Sequence, residues 1–206
     1  MTTHIREGLQ IGFKNTWTWP IKDDGAWEWL NREKNLPELI MPYVKGKGCC
    51  ITAGAHTGVY AYQYARIFDK VFAIEPHPTN FYCLAQNVVE ENVIKLQTCL
   101  SNERKMVGLH TEYIGNSGGY YIVEGSSCMT MMIDDIPLEP DLIHLDVEGY
   151  EFEALHGGLI KLIKGSPTVV IETIPTYSTE KAEKLLASLG YRVAEKLVHD
   201  TIFVKE

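Results

Sequence analysis

The chain predicts an α/β protein of Rossmann-like type: an α/β/α sandwich around a mostly parallel sheet that finishes in an antiparallel hairpin. Three observations predict it. Apolar strand-like runs alternate with amphipathic helix-like runs from residue 49 onward, the order that lays helices over both faces of a parallel sheet. The first run, Cys50-Ile51-Thr52-Ala53, enters a glycine turn, Gly54-Ala55-His56-Thr57-Gly58, that opens a helix. Two β-like runs, 191–198 and 201–205, are joined only by His199-Asp200, and so short a loop makes them antiparallel neighbours.

Residues 49–53 form the first strand, and 58–68 the first helix, with Ala61, Tyr64, Ala65 and Phe68 on one face. Residues 71–75 are the second strand. Pro78 fits the first turn of the next helix, which runs through Leu84 to Val88, and 94–99 make the third strand. From 105 to 130 the pattern loosens into β-like pieces separated by Gly115, Gly118, Gly119 and Gly125, an irregular insertion of one or two hairpins. Residues 141–146 are the fourth strand, 150–163 a helix with Phe152, Leu155, Leu159 and Leu162 inward, and 168–172 the fifth strand. Ser178 caps a last helix whose Ala182, Leu185, Leu186 and Leu189 follow a helical period, and Gly190 closes it. All four tryptophans, Trp17, Trp19, Trp27 and Trp29, precede these elements. Residues 1–45 are therefore expected to be an extension packed on a single domain of residues 46–206. It would act either as a plug that hides the rings or as a lid whose indoles stack on a flat acceptor.

The glycine turn carries the first chemical signal. Glycine serves where backbone must come close to a neighbour that a Cβ would displace, and a helix N-terminus behind the turn offers unpaired N–H groups. The second strand ends on Glu75, 21 positions after Gly54, the reach at which a strand-end acid accepts hydrogen bonds from a ribose. A dinucleotide turn needs three glycines, G-x-G-x-x-G, but only Gly54 and Gly58 are present, with Ala55 between them. That suits a nucleoside with an amino-acid tail, S-adenosylmethionine, better than a diphosphate. The second signal is His144-Leu145-Asp146-Val147-Glu148-Gly149-Tyr150-Glu151. Charge is expected at the carboxyl end of a buried parallel strand, where the crevice of an open α/β sheet lies. Strand alternation puts His144 and Asp146 on one face, within reach of a shared hydrogen bond. Asp146, Glu148 and Glu172 would suffice for Mg²⁺ with water completing the shell, but no metal is expected.

Composition narrows the function. The net charge of −8 over 206 residues, with no Lys/Arg block, argues against a nucleic-acid partner. Five cysteines form an odd set without paired metal spacing and read as reduced core thiols. No apolar run approaches membrane-spanning length, and residues 1–14 hold no apolar leader core. A cytoplasmic protein without a membrane partner is expected, its oligomeric state open.

The glycine turn, Ile74-Glu75-Pro76-His77-Pro78, Asn87, Ile133-Asp134-Asp135, the Asp146-Val147-Glu148-Gly149 run and Val170-Ile171-Glu172 together resemble the FkbM family of methyltransferases, over residues 48–193. The resemblance implies a class I methyltransferase fold, S-adenosylmethionine as methyl donor, and O-methylation of a hydroxyl on a sugar or small natural product. Carried over, Gly54 and Gly58 match the cofactor turn, Glu75 the ribose acid, and Asp146 and Glu148 the signature carboxylates. This chain departs from the family pattern at Thr52 (usually Asp), His56 (usually Asn) and His144 (usually Lys). The candidate cofactor contacts are Thr52, Gly54, Ala55, His56 and Gly58 in the turn, Glu75 and Pro76 after the second strand, Ser101 after the third, and Asp146. For catalysis the candidates are Asp146 as base, His144 as second choice, and Glu148 as an orienting group. Two other classes fit less of the sequence: a non-catalytic S-adenosylmethionine-binding scaffold, and a Rossmann NAD(P)-dependent oxidoreductase.

Overall fold

The computed structural model describes residues 2–112, 115–173 and 177–206. The chain opens with strands β1 (Thr3–Ile11) and β2 (Lys14–Pro20), an antiparallel hairpin, followed by helices α1 (Asp24–Glu33) and α2 (Leu36–Ile40). Then come β3 (Cys49–Ala53), α3 (Val59–Tyr64), β4 (Lys70–Ile74), α4 (Pro78–Asn87) and β5 (Val93–Leu96). The middle of the chain holds β6 (Cys99–Leu100), β7 (Met106–His110) and β8 (Tyr121–Met131). Last are β9 (Leu142–Leu145), α5 (Glu151–His156), α6 (Leu159–Lys164), β10 (Thr168–Glu172), α7 (Tyr177–Ser188), β11 (Arg192–Lys196) and β12 (Asp200–Val204).

The central sheet has the order β11-β12-β10-β9-β3-β4-β5. Strands β10, β9, β3, β4 and β5 run parallel, β12 pairs antiparallel with β10, and β11 closes the sheet antiparallel to β12. The chain leaves β3 in one direction through β4 and β5, then returns to β9 on its other side. The carboxyl ends of β3 and β9 therefore flank the switch point, where the crevice of such a sheet forms. Period-two alternation splits the core in two. Cys50, Val71, Ala73, Leu142, Val170 and Ile202 face α3, α4 and the N-terminal segment, whereas Ile51, Phe72, Ile74, Ile143, Val169, Ile171 and Phe203 face α5, α6 and α7. This is the expected α/β/α sandwich.

Several elements differ from the sequence expectation. The third strand ends at Leu96, and Cys99 instead begins β6, which pairs parallel with β8 in a separate three-stranded sheet with β7. The helix expected over 150–163 is two helices. Gly157 lies so close to the Ser101 carbonyl that a Cβ there would stand 2.0 Å from it, and the Asp134 carboxylate accepts the N–H groups of Ile160 and Lys161, both at 3.1 Å, capping the new start. The first helix stops at Tyr64, and the last begins at Tyr177, one residue ahead of the expected cap Ser178.

The N-terminal hairpin, which carries no clean alternation, is held by side chains from the sheet domain. Asn87 at the end of α4 accepts the Thr18 N–H (2.7 Å) and donates to the carbonyls of Thr18 and Thr57 (both 2.8 Å). Trp17 and Trp19 are fully buried, and their indole N–H groups donate to Leu9 O (2.8 Å) and Asp23 O (3.0 Å). No helix among the described residues is long and apolar enough to cross a membrane.

Candidate active site

At the end of β3 the backbone turns sharply. Gly54 has φ +78°, and an added Cβ would lie 1.7 Å from the carbonyl oxygen of Asp146, which follows the neighbouring β9. Gly58 has φ +94°, and its Cβ would lie 2.6 Å from Val88 and 2.8 Å from Leu84 of α4. Both glycines thus answer to the protein's own packing, a reason distinct from the ligand approach read from sequence. The turn is fastened across β4: Gly54 and Ala55 both donate to the Ile74 carbonyl (3.1 and 3.0 Å). Beyond Ile74, Glu75 is buried, its Oε2 accepting the His56 N–H and its Oε1 the His77 N–H, each at 2.8 Å. Burial pushes its carboxyl up to about 7 against those two bonds and a third from the Asn80 side chain. A carboxylate has about four lone-pair positions, so Glu75 keeps acceptor capacity for a hydroxyl.

A second set of acids gathers where β9 and β10 end. Asp146, Glu148 and Glu172 present oxygens that all lie within 4.8 Å of one another. Burial, then repulsion from neighbouring acids that include Glu151, raises every one of them: Glu148 to about 7, Glu172 to about 9, and Asp146 well above the usual carboxylate range. Glu148 also sits at φ +52°, a conformation that costs a non-glycine residue about 1 kcal/mol or more. His144 points elsewhere. Its Nδ1 bonds the Tyr64 hydroxyl at 2.9 Å and its Nε2 lies 3.8 Å from Asp200, so the hydrogen bond expected with Asp146 is not made.

The two sets share one cavity of about 310 Å³, within the size of small-molecule sites. One wall comes from the N-terminal segment, with Ala26, Trp29, Leu30 and Glu33 of α1. The β7-β8 insertion supplies another, with Leu109, Ile122 and the loop 116–120. A polar clasp holds these walls to the glycine turn. Asp23 accepts the Ser117 N–H at 2.8 Å, Asn80 donates to Ser117 O at 2.8 Å, and the Ser117 hydroxyl lies 2.6 Å from His56 Nε2. Burial lowers His56 to about 4, which keeps the ring neutral.

Of the residues singled out by sequence, Gly54, Ala55, His56, Glu75, Pro76, Asp146 and Glu148 line the cavity. Thr52, Gly58, Ser101 and His144 do not. Thr52 and His144 are register partners inside the sheet, and Ser101 is fully buried behind Leu100. The sequence reading missed Leu30, Glu33, Tyr60, Asn80 and the strip of Leu100, Leu109 and Ile122. Among these only Glu33, four residues after Trp29 on one helix, carried a signal in its spacing.

Comparison with known proteins follows the same lines. A family model described as the methyltransferase FkbM domain matches residues 53–193. The hexuronic acid methyltransferase AglP of Haloferax volcanii is 26% identical over 197 residues, covering 90% of this chain and 79% of that protein. A crystal structure of methyltransferase FkbM from Methylobacillus flagellatus superposes with a TM-score of 0.52 at 17% identity, over 81% of this chain and 49% of that one, so this chain spans about half its length. Precorrin 8W decarboxylase from Methanobacterium thermoautotrophicum gives 0.56 at 15% identity, over 85% and 90% of the two chains. At such identities the likeness is one of fold.

Proposed function

The chain belongs to the FkbM methyltransferase family, and from that premise we propose that it methylates a hydroxyl oxygen on a sugar or other small natural product with S-adenosylmethionine. The observation that carries this reading is that one cavity is lined both by the Gly54 turn with Glu75 and by the acids Asp146 and Glu148. A sugar acceptor is supported by the name of the relative AglP, a hexuronic acid methyltransferase.

The residues present fit the cofactor. Glu75, with spare acceptor capacity, would take a ribose hydroxyl, and the apolar strip of Leu100, Leu109 and Ile122 beside Pro76 suits a purine ring. Thr52 lies off the cavity, so the cationic groups of the ligand would be met by Asp146 and Glu148. When bound, S-adenosylmethionine supplies a methyl group on a sulfonium sulfur that an oxygen nucleophile can displace in line.

The protein's own part is to position the acceptor and take its proton. A hydroxyl is a weak nucleophile until that proton leaves, and a base works best when its pKa lies near the working pH. Asp146, which burial and its acid neighbours raise above the usual carboxylate range, would accept the proton, with Glu148 orienting the hydroxyl. His144 is held by Tyr64 away from the cavity, which leaves it a structural task.

The test is methyl transfer to a library of glycosides, followed by mass spectrometry. Asp146→Asn protein that still binds S-adenosylhomocysteine in calorimetry should lose about 10²–10⁴-fold in kcat. Wild-type turnover in that variant, or no binding of S-adenosylhomocysteine by the parent protein, would refute the reading.

A further inference from the structure

The ionisable side chains on the cavity walls are almost all acids. Glu33, Glu75, Asp146, Glu148 and Glu172 line it, and among the described residues no Lys or Arg does. Its one imidazole, His56, is neutral for the reason given above. Glu75 is engaged with two backbone N–H groups, which leaves four carboxyl groups on the remaining wall. Three of them are clustered within 4.8 Å. The fourth, Glu33, is near enough to Glu172 for the two charges to oppose each other.

Glu33 does not stand alone. Trp29 lies one helical turn before it on α1, also lines the cavity, and is 42% exposed, whereas Trp17, Trp19 and Trp27 are buried. His199, outside the cavity lining, backs this pair, with its ring centroid 4.6 Å from the Trp29 indole and its Nε2 3.8 Å from Glu33. An accessible indole beside carboxylates recognises a pyranose, because the C–H face of the sugar packs on the ring and its hydroxyls donate to the acids. An acid group on the same sugar would bring a carboxylate to a wall that already pushes its own acids toward the protonated form and that offers, among the described residues, no Lys or Arg to receive it. Its desolvation would go uncompensated.

We infer that the acceptor is a sugar unit without an acid group, its ring against Trp29 and its hydroxyls donating to Glu33 and Glu172, and that the cavity discriminates against the corresponding uronic acid. This rests on the reading of the cavity as a sugar O-methylation site.

Calorimetric titration of the protein loaded with S-adenosylhomocysteine tests it, using a methyl hexoside and the matching methyl hexuronoside, with and without added magnesium. The hexoside should bind at least about tenfold tighter, and salt should narrow the gap by screening the repulsion. Glu33→Gln should narrow it by improving hexuronoside binding, while Trp29→Ala weakens both sugars and leaves the melting midpoint in place. Equal or tighter binding of the hexuronoside in either buffer, or binding of neither sugar, overturns the assignment. Because binding is read without turnover, a protein that holds the hexoside and transfers no methyl would refute the proposed reaction and leave the charge preference standing.

Discussion

Gly54 brings the two halves of the site together, since only a residue without a Cβ lets the end of β3 rest on the Asp146 carbonyl at a φ of +78°. Gly54→Ala should therefore cost about 2–4 kcal/mol, combining left-handed strain with a clash against backbone that cannot step aside. Thermal unfolding reads this directly, and a melting point near wild type would mean that the turn relaxes. At this scale the sequence was legible where chemistry and position coincide. Glu75 and Asp146 follow the last residues of their strands, where side chains leave the sheet for the crevice. It also singled out Thr52 and His144, which lie inside β3 and β9, pair across them and do not line the cavity. Their polarity gave the signal, but the pleat puts both on one face, where His144 meets Tyr60 and Tyr64.

Among the elements, the N-terminal hairpin and α1 matter most for the site. The four tryptophans left two roles open, plug or lid, and the structure divides them. Trp17 and Trp19 are buried anchors, Trp17 edge-on to Tyr62 at 5.6 Å, and Trp29 is the ring presented to the cavity. Trp17→Ala should lose about 3–5 kcal/mol of stability by opening a hole beneath β2, measured by denaturant unfolding. A loss under about 1 kcal/mol would show that the hairpin is only loosely seated. This division was not legible beforehand, because β1 alternates poorly and the partners of β2, Asn87 and Tyr62, come from elements far along the chain. The split between α5 and α6 was hidden for a related reason. The helical period runs through Gly157, and only the approach of Ser101 from β6 makes a break favourable.

For the whole molecule, the acids at the switch point set a pH dependence. In the unfolded chain a Glu releases its proton around 4.5, but in the fold Glu75 and Glu148 hold theirs to about 7 and Glu172 to about 9. Between those values the folded state binds more protons than the unfolded state, so stability falls as pH rises. The contribution is fully present below 4.5 and is lost through pH 7 and on toward 9. The melting temperature of the unliganded protein should decline from about pH 5 to 9. A flat or rising profile would show that these carboxyl groups are better solvated than their burial implies.

The sequence by itself determined the layers, the five parallel strands with their closing hairpin, the glycine turn and the strand-end acids. These follow from local rules: the pleat, the helical period, and the few residues that tolerate a left-handed backbone. Tertiary structure alone decided which polar side chains meet the cavity, which tryptophan faces it, and that its wall, among the described residues, holds acids without a Lys or Arg. Those outcomes depend on pairings between segments as distant as Asp23 and Ser117, or Glu33 and Glu172, and no local period in a chain records what a residue will find across the fold.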